Sequence, residues 1–381
     1  MAEPDLEAVR VHLGRLGQQP GPVEVGAALR SLGMLVSDST VRATVAALRR
    51  DSVGAGALEP LLALPGVTDV LVNGPDQVYL DRGLGLEPAG VRFTGEPELR
   101  RLAVRLAASV GRRLDDGSPF VDARLPNGIR VHAVLACVAD AGTCLSLRVP
   151  NRQRLSLDDW VASGSLSAEA ARMLAGLVAA RRAFLISGGT GSGKTTLLGA
   201  LLSRVPAAER IVVVEDSREL QPDHPHCVRL EARPANAEGA GMVTLTDLVR
   251  QALRMRPDRL VVGEVRGGEL ADLLRAMNTG HEGGCGTVHA NSAADVPARL
   301  EALGALGGLD RDALHSQLAA ALQVLIHVRR LPDGRRWVDE VHLVGPEPSG
   351  RCRTIPAVRF VPGQGSVPGP GFAELLRLAT P

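Results

Sequence analysis

The chain is 381 residues long, 45% hydrophobic and 22% charged, with 43 Lys+Arg against 42 Asp+Glu and a formal net charge of +1. That length supports two or three domains with real cores, while near-neutral charge and only two Trp, one Tyr and five Phe argue against a surface that tracks nucleic acid. No apolar run approaches the ~20 residues needed to cross a bilayer, and the acidic opening MAEPDLEAVR is unlike a secretory signal, so the cytoplasm is the expected compartment.

Residues 1–56 read as a helical appendage, from LEAVRVHLGRLG through VGAALRSLG to DSTVRATVAALRR. In the last of these, Ser39 or Thr40 can cap a helix whose apolar face carries Val41, Val45 and Leu48. Residues 57–150 read as a mixed α/β domain. VTDVLVNGPDQVYLDRG alternates apolar and polar residues around Asn73-Gly74, a hairpin signal. ELRRLAVRLAASVG has helical spacing and ends at a glycine. VDARLPNGIRVHAVLACVADAGTCLSLRVP then gives two or three strands, with Asn127-Gly128 as a second turn. The polar stretch at 151–159 reads as a linker.

Over 160–345 the pattern becomes strand–helix alternation: RAFLISG, KTTLLGALLSR, RIVVVED, TLTDLVRQALRMRP, DRLVVGE. Wholly apolar strands between helices predict an α/β fold with a parallel sheet covered on both faces. VLIHVRRLPDGRRWVDEVHLV adds a hairpin around Asp333-Gly334. The Pro/Gly-rich tail, 346–381, is expected to be irregular apart from a final helical turn in FAELLRLA. The cysteines, Cys137, Cys144, Cys227, Cys285 and Cys352, contain no CxxC pair, so zinc-ribbon spacing is absent and reduced, buried thiols are expected.

GGTGSGKTT contains the chain's one lysine; every other Lys+Arg position is arginine. Gly188 to Thr195 fit G-x-x-x-x-G-K-[ST] between a buried strand and a helix, the context in which that pattern cradles nucleotide phosphates. Gly188, Gly189, Thr190, Gly191, Ser192 and Gly193 form the loop. Lys194 is the compact charge for the β- and γ-phosphates, where a planar guanidinium would not fit. Thr195 is the expected Mg²⁺ ligand, and Thr196 would lie by the α-phosphate. ATP and Mg²⁺ are the cofactors this loop implies. Three more boxes fall at strand ends, where a doubly wound sheet places its ligands. VVVEDSREL offers Glu215, Asp216 and Glu219. RLVVGEVRGGE offers Glu264, Arg266 and Glu269, and TGHEGGCGTVHANS offers His281, Glu282 and His289. Glu215 and Glu264 suit water activation and metal binding, direct or through water, beside Thr195. His289 suits contact with the γ-phosphate. Glu219 and Glu269 read as solvated acids, and His281 could equally be structural.

Taken together, these boxes resemble the secretion ATPase superfamily of type II and type IV secretion and type IV pilus systems. PGVTDVLVNGPDQVYLDRG, GRRLDDGSPFVDARLPNGIRVHAVL and LSLRVP extend the resemblance to the N-terminal domain of the Tad/Flp pilus assembly and conjugal-transfer branch, over roughly residues 57–330. The missing four-cysteine zinc module favours that branch; Gly284-Cys285-Gly286 departs from the family's usual Ser/Met-type residues. The resemblance implies a RecA-like motor domain flexibly joined to the N-terminal domain, a hexameric ring, and arginines from the N-terminal domain reaching the phosphates. The matching positions are Arg124, Arg130 and Arg148. It further implies docking on integral inner-membrane platform proteins from the cytoplasmic side, without membrane insertion. A DNA-transfer or helicase-like motor and a non-hydrolysing nucleotide-binding scaffold ring are the alternatives.

Overall fold

The computed structural model describes all residues except 1–7, 10, 11, 14–20, 35, 84, 151–153, 236–238, 281, 349 and 381, with backbone alone for 46–53. It divides into two compact units, Met1–Asn151 and Arg152–Pro381.

The first unit opens with helices Pro22–Ser31 and Asp38–Val53. The second of these is capped by Ser37, whose hydroxyl accepts the N–H of Thr40 at 3.1 Å. Ser39 and Thr40, the expected caps, therefore lie inside the first turn, because a Ser/Thr cap bonds the amide three residues ahead. Val45 is buried as expected; the Leu48 side chain and most of LEAVRVHLGRLG lie outside the described residues. Six strands follow: β1 (Asp69–Asn73), β2 (Val78–Asp81), β3 (Leu86–Pro88), β4 (Phe120–Arg124), β5 (Arg130–Val134) and β6 (Cys144–Arg148). They form one antiparallel sheet in the order β3-β2-β1-β6-β5-β4. Alternation sorts its faces. Val121, Ala123, Val131, Ala133, Leu145 and Leu147 are buried with Leu99, Leu102 and Leu106 of helix Glu96–Ala108.

The second unit is α/β. Ser156 and Asp159 form a reciprocal capping box on helix Leu157–Ala162, so the last part of the stretch expected as linker is helical. The nine strands are β7 (Phe184–Gly188), β8 (Ile211–Glu215), β9 (Cys227–Glu231), β10 (Arg259–Val262), β11 (Cys285–His289), β12 (Val324–Arg330), β13 (Arg336–Pro346), β14 (Cys352–Val361) and β15 (Gly365–Pro368). Their order is β15-β14-β13-β12-β7-β11-β10-β8-β9. The pairings from β12 through β9 are parallel, and those from β12 to β15 antiparallel.

Period-two alternation between two covered faces explains the apolar runs Phe184–Ile186 of β7 and Ile211–Val214 of β8. Phe184, Ile186, Ile211 and Val213 enter one core, which includes helices Ala168–Ala179 and Lys194–Leu202. Leu185, Val212 and Val214 enter the other, with helices Leu245–Leu253, Glu269–Asn278 and Arg311–Ala321. A sheet buried on both faces leaves its strand ends as the place for polar chemistry.

The tail is not irregular. β14 pairs along β13 from Glu340↔Arg359 to Pro346↔Cys352, and Ala357, Val358 and Phe360 join the first core. Prolines did not prevent this, because Pro356 stands at the register shift against β13 and Pro368 at the end of the edge strand β15. Phe360 is 1% exposed, so Phe360→Ala should lower unfolding free energy by about 3–5 kcal/mol, read from urea midpoints. An irregular tail would give no change.

Candidate functional site

The loop after β7 is shaped by glycines at positive φ: Gly191 at +69°, Gly193 at +97°. A Cβ at Gly188 would stand 2.1 Å from the Val328 carbonyl oxygen, so strand β12 allows no side chain there. Ser192 Oγ donates to the Gly189 carbonyl at 2.9 Å and braces the turn. Gly193 is then the N-cap of helix Lys194–Leu202, and no side chain caps that helix. Its first-turn amides, which no intrahelical carbonyl can satisfy, include those of Thr195 and Thr196, both half-buried. Gly189 and Thr190 are exposed.

Lys194 is 7% exposed. Its ammonium donates to the carbonyls of Gly188 at 3.0 Å and Gly189 at 2.8 Å, and reaches His289 Nδ1 at 3.5 Å. Burial lowers its pKa, and the charge of Glu264 works against that shift. His289, the last residue of β11, places Nε2 3.0 Å from Glu264 Oε1. Glu264 in turn accepts from Arg266 Nη2 at 2.6 Å. Burial would raise the Glu264 carboxyl, but the Arg266 hydrogen bond and charge, with His289 and Lys194, hold it below the ordinary range. Burial and the nearby ammonium lower His289. A neutral imidazole fits its partners in one tautomer only: Nε2–H donates to the carboxylate and Nδ1 faces the lysine. Lys194, His289, Glu264 and Arg266 thus form one chain across three elements far apart in sequence.

Glu215 is placed differently. It ends β8 beside β10, 3% exposed. Its Oε1 accepts the N–H groups of Glu219 at 3.0 Å and Leu220 at 2.9 Å. Among the described residues its buried Oε2 has no hydrogen-bond partner. Burial pushes its pKa up to about 7. A Cβ on Gly263 would lie 2.5 Å from Glu215 Cγ, so the glycine before Glu264 makes room for the other strand-end acid.

Two acids depart from or match the solvated reading. Glu219 is exposed. Glu269 is not solvated: it is 5% exposed, and its Oε1 accepts the N–H groups of Arg266 and Gly267 at 2.6 and 2.8 Å. That acid fixes the turn presenting Arg266, a role visible in the sequence only as a Glu three residues after Arg266. Glu282 is exposed, and His281 lies outside the described residues. The unusual Gly284-Cys285-Gly286 has a steric reason, since a Cβ at Gly286 would stand 2.6 Å from the Val262 carbonyl oxygen. Cys285 is buried, its thiol pushed up to about 12.

In the first unit, pairing sets Arg124 opposite Arg130 and Arg130 opposite Arg148. Directly opposed residues share a face, so three arginines form a row across β4, β5 and β6, on the side away from the helix. Their sequence spacing gives no hint of this row.

A profile of a family described as type II/IV secretion system protein matches residues 51–353. A putative conjugal transfer protein of Mycobacterium tuberculosis is 56% identical over 327 residues, 84% of this chain and 93% of that protein. A probable conjugal transfer protein TrbB of Sinorhizobium fredii is 31% identical over 282 residues, 73% of this chain and 83% of its own. Among solved structures, the Legionella pneumophila ATPase DotB is similar in fold, with a TM-score of 0.53 and 18% identity over 77% of this chain and 81% of that one.

Because the Glu215 carboxyl takes up a proton more readily folded (about 7) than at its ordinary value of 4.5, the stability it contributes falls as pH rises through that window. Glu215→Gln keeps an acceptor for Glu219 and Leu220. In urea unfolding at about pH 8 the variant should be the more stable by up to about 3 kcal/mol, the gap closing as pH is lowered. A gap independent of pH would mean that this carboxyl is not protonated by burial.

Proposed function

The chain belongs to the type II/IV secretion system protein family, and we propose that it is an ATPase whose motor domain, 160–345, converts hydrolysis into work on a secretion or pilus-assembly machine. The observation that carries this reading is the Lys194–His289–Glu264–Arg266 chain at the mouth of the phosphate loop. An ammonium held by two loop carbonyls and, at longer range, an imidazole can exchange the carbonyls for phosphate oxygens. The imidazole between it and Glu264 is then placed to register whether the terminal phosphate is present.

Magnesium fits the residues here. Thr195 lies in the first turn of the helix, Glu264 is held ionised by Arg266, and among the described residues the buried Oε2 of Glu215 lacks a partner. Few protein ligands are expected, since this ion keeps several waters. Thr195 would hold it directly, with Glu264 and Glu215 acting directly or through water. When bound, it would neutralise charge on the β–γ bridging region.

The chain's own groups divide the remaining work. Loop amides and Lys194 bind the phosphates. Glu215, with a pKa of about 7, is matched to accept a proton near neutral pH and serves as general base or water orienter. Glu264 is the Walker B acid and His289 the γ-phosphate sensor. The row of Arg124, Arg130 and Arg148 is the source of arginine fingers, each positioned by its strand rather than by a mobile loop. A homo-hexamer on the cytoplasmic face of the inner membrane, docked on integral platform proteins, completes the reading. No helix among the described residues is long and apolar enough to cross a membrane.

The names of the relatives from M. tuberculosis and S. fredii favour a second reading, a motor of conjugal transfer. Phosphate release stimulated by single-stranded DNA, falling steeply with salt, would favour it.

Steady-state phosphate release tests the site. Lys194→Ala and Glu264→Gln should each lower turnover by ~10²-fold or more, and Arg130→Ala by about 10³-fold. Wild-type turnover in Lys194→Ala would remove the ATPase assignment.

A further inference from the structure

The hairpin that joins β12 to β13 brings a further cation to the phosphate loop, in addition to Lys194 and Arg266. Pairing sets Arg330 directly opposite Arg336, and like charges so opposed are destabilising. Asp333, the acid of the intervening turn, is taken by Arg335, whose Nε donates to it at 2.7 Å. Among the described residues Arg336 has no carboxylate partner, though it is half-buried. Burial and the charge of Arg330 lower its pKa. A partly desolvated guanidinium facing a like charge is a costly arrangement unless an anion relieves it.

Its position says which anion. A Cβ at Gly193 would stand 2.7 Å from Arg336 Cδ and 3.2 Å from Trp160 Cη2. The stem of Arg336 therefore crosses the loop at Gly193, the N-cap of helix Lys194–Leu202. Its guanidinium is carried on that Cδ, at the glycine from which the helix starts. Trp160, 2% exposed, lines the same space beside that glycine. The missing side chain at residue 193 leaves the space through which the arginine stem passes.

We propose that Arg336 is a nucleotide-binding residue, its guanidinium contacting the phosphate chain of ATP or ADP from the β12–β13 hairpin. This rests on the reading of the loop as a nucleotide site. It adds a ligand from a segment about 140 residues away that belongs to none of the recognised boxes. In Arg336 the loop has a cation that is neither Lys194 nor one of the first unit's arginines. The contact depends on charge and fork geometry, so a methionine of similar stem length keeps the packing on Gly193 and Trp160 but not the contact.

The test is titration of the full chain with a fluorescent, ribose-labelled ADP, alongside urea unfolding without nucleotide. Arg336→Met should weaken ADP binding by ~10- to 100-fold while the unfolding midpoint without nucleotide stays at or above the wild-type value, since the opposed like charge is removed. Arg336→Lys, which keeps charge without the fork, should fall between the two and covers the case in which the methionine variant does not fold. Wild-type ADP affinity in Arg336→Lys together with Arg336→Met, or a lowered midpoint with unchanged affinity, would overturn the proposal and make Arg336 a packing strut. Lys194→Ala is measured beside them: if it too binds ADP like wild type, the nucleotide reading of the loop fails, a result distinct from failure at Arg336 alone.

Discussion

A single ammonium buried at the end of a parallel strand constrains the rest of the second unit. Lys194 cannot be 7% exposed without partners, because an uncompensated buried charge costs several kcal/mol, roughly. Two loop carbonyls and the field of Glu264 supply them. Each has its own requirement: the carbonyls need glycines at positive φ, and Glu264 must stay ionised, which Arg266 secures. Arg266 needs the turn that Glu269 ties down. One charge thus organises strands β7, β10 and β11 at their ends, while their alternating side chains fill two separate cores.

The acids at neighbouring strand ends show how environment separates like groups. Glu264 sits among cations and is held low, whereas burial raises Glu215 to about 7 against the opposing pull of two backbone amides. Two carboxylates with divergent proton affinities are the usual arrangement for dividing acid–base labour. Both were legible as candidates, because each follows an apolar run at the expected sheet edge. Their difference was not, since it depends on how deeply the folded chain buries each acid and which cations it brings beside it.

Other features follow the same division between local and non-local information. The phosphate loop, the apolar strands and the hairpin at Asp333-Gly334 were readable because their signals lie within about ten residues. The tail differs from the irregular reading: its prolines and glycines mask two strands, β14 paired with Glu340–Pro346 and β15 paired with β14. The cap at Ser37 was missed by two residues, a matter of which hydroxyl reaches an amide. The row formed by Arg124, Arg130 and Arg148 is a product of strand register. Arg336 meets Gly193 only after the sheet closes between them.

The solitary lysine also has a chemical consequence. No other side chain in the molecule carries a primary amine, and this one is largely sheltered. Reagents that acylate side-chain amines therefore have one address, and their rate of attack measures how often that address opens. The protein thereby contains an intrinsic gauge of loop breathing that needs no engineered label.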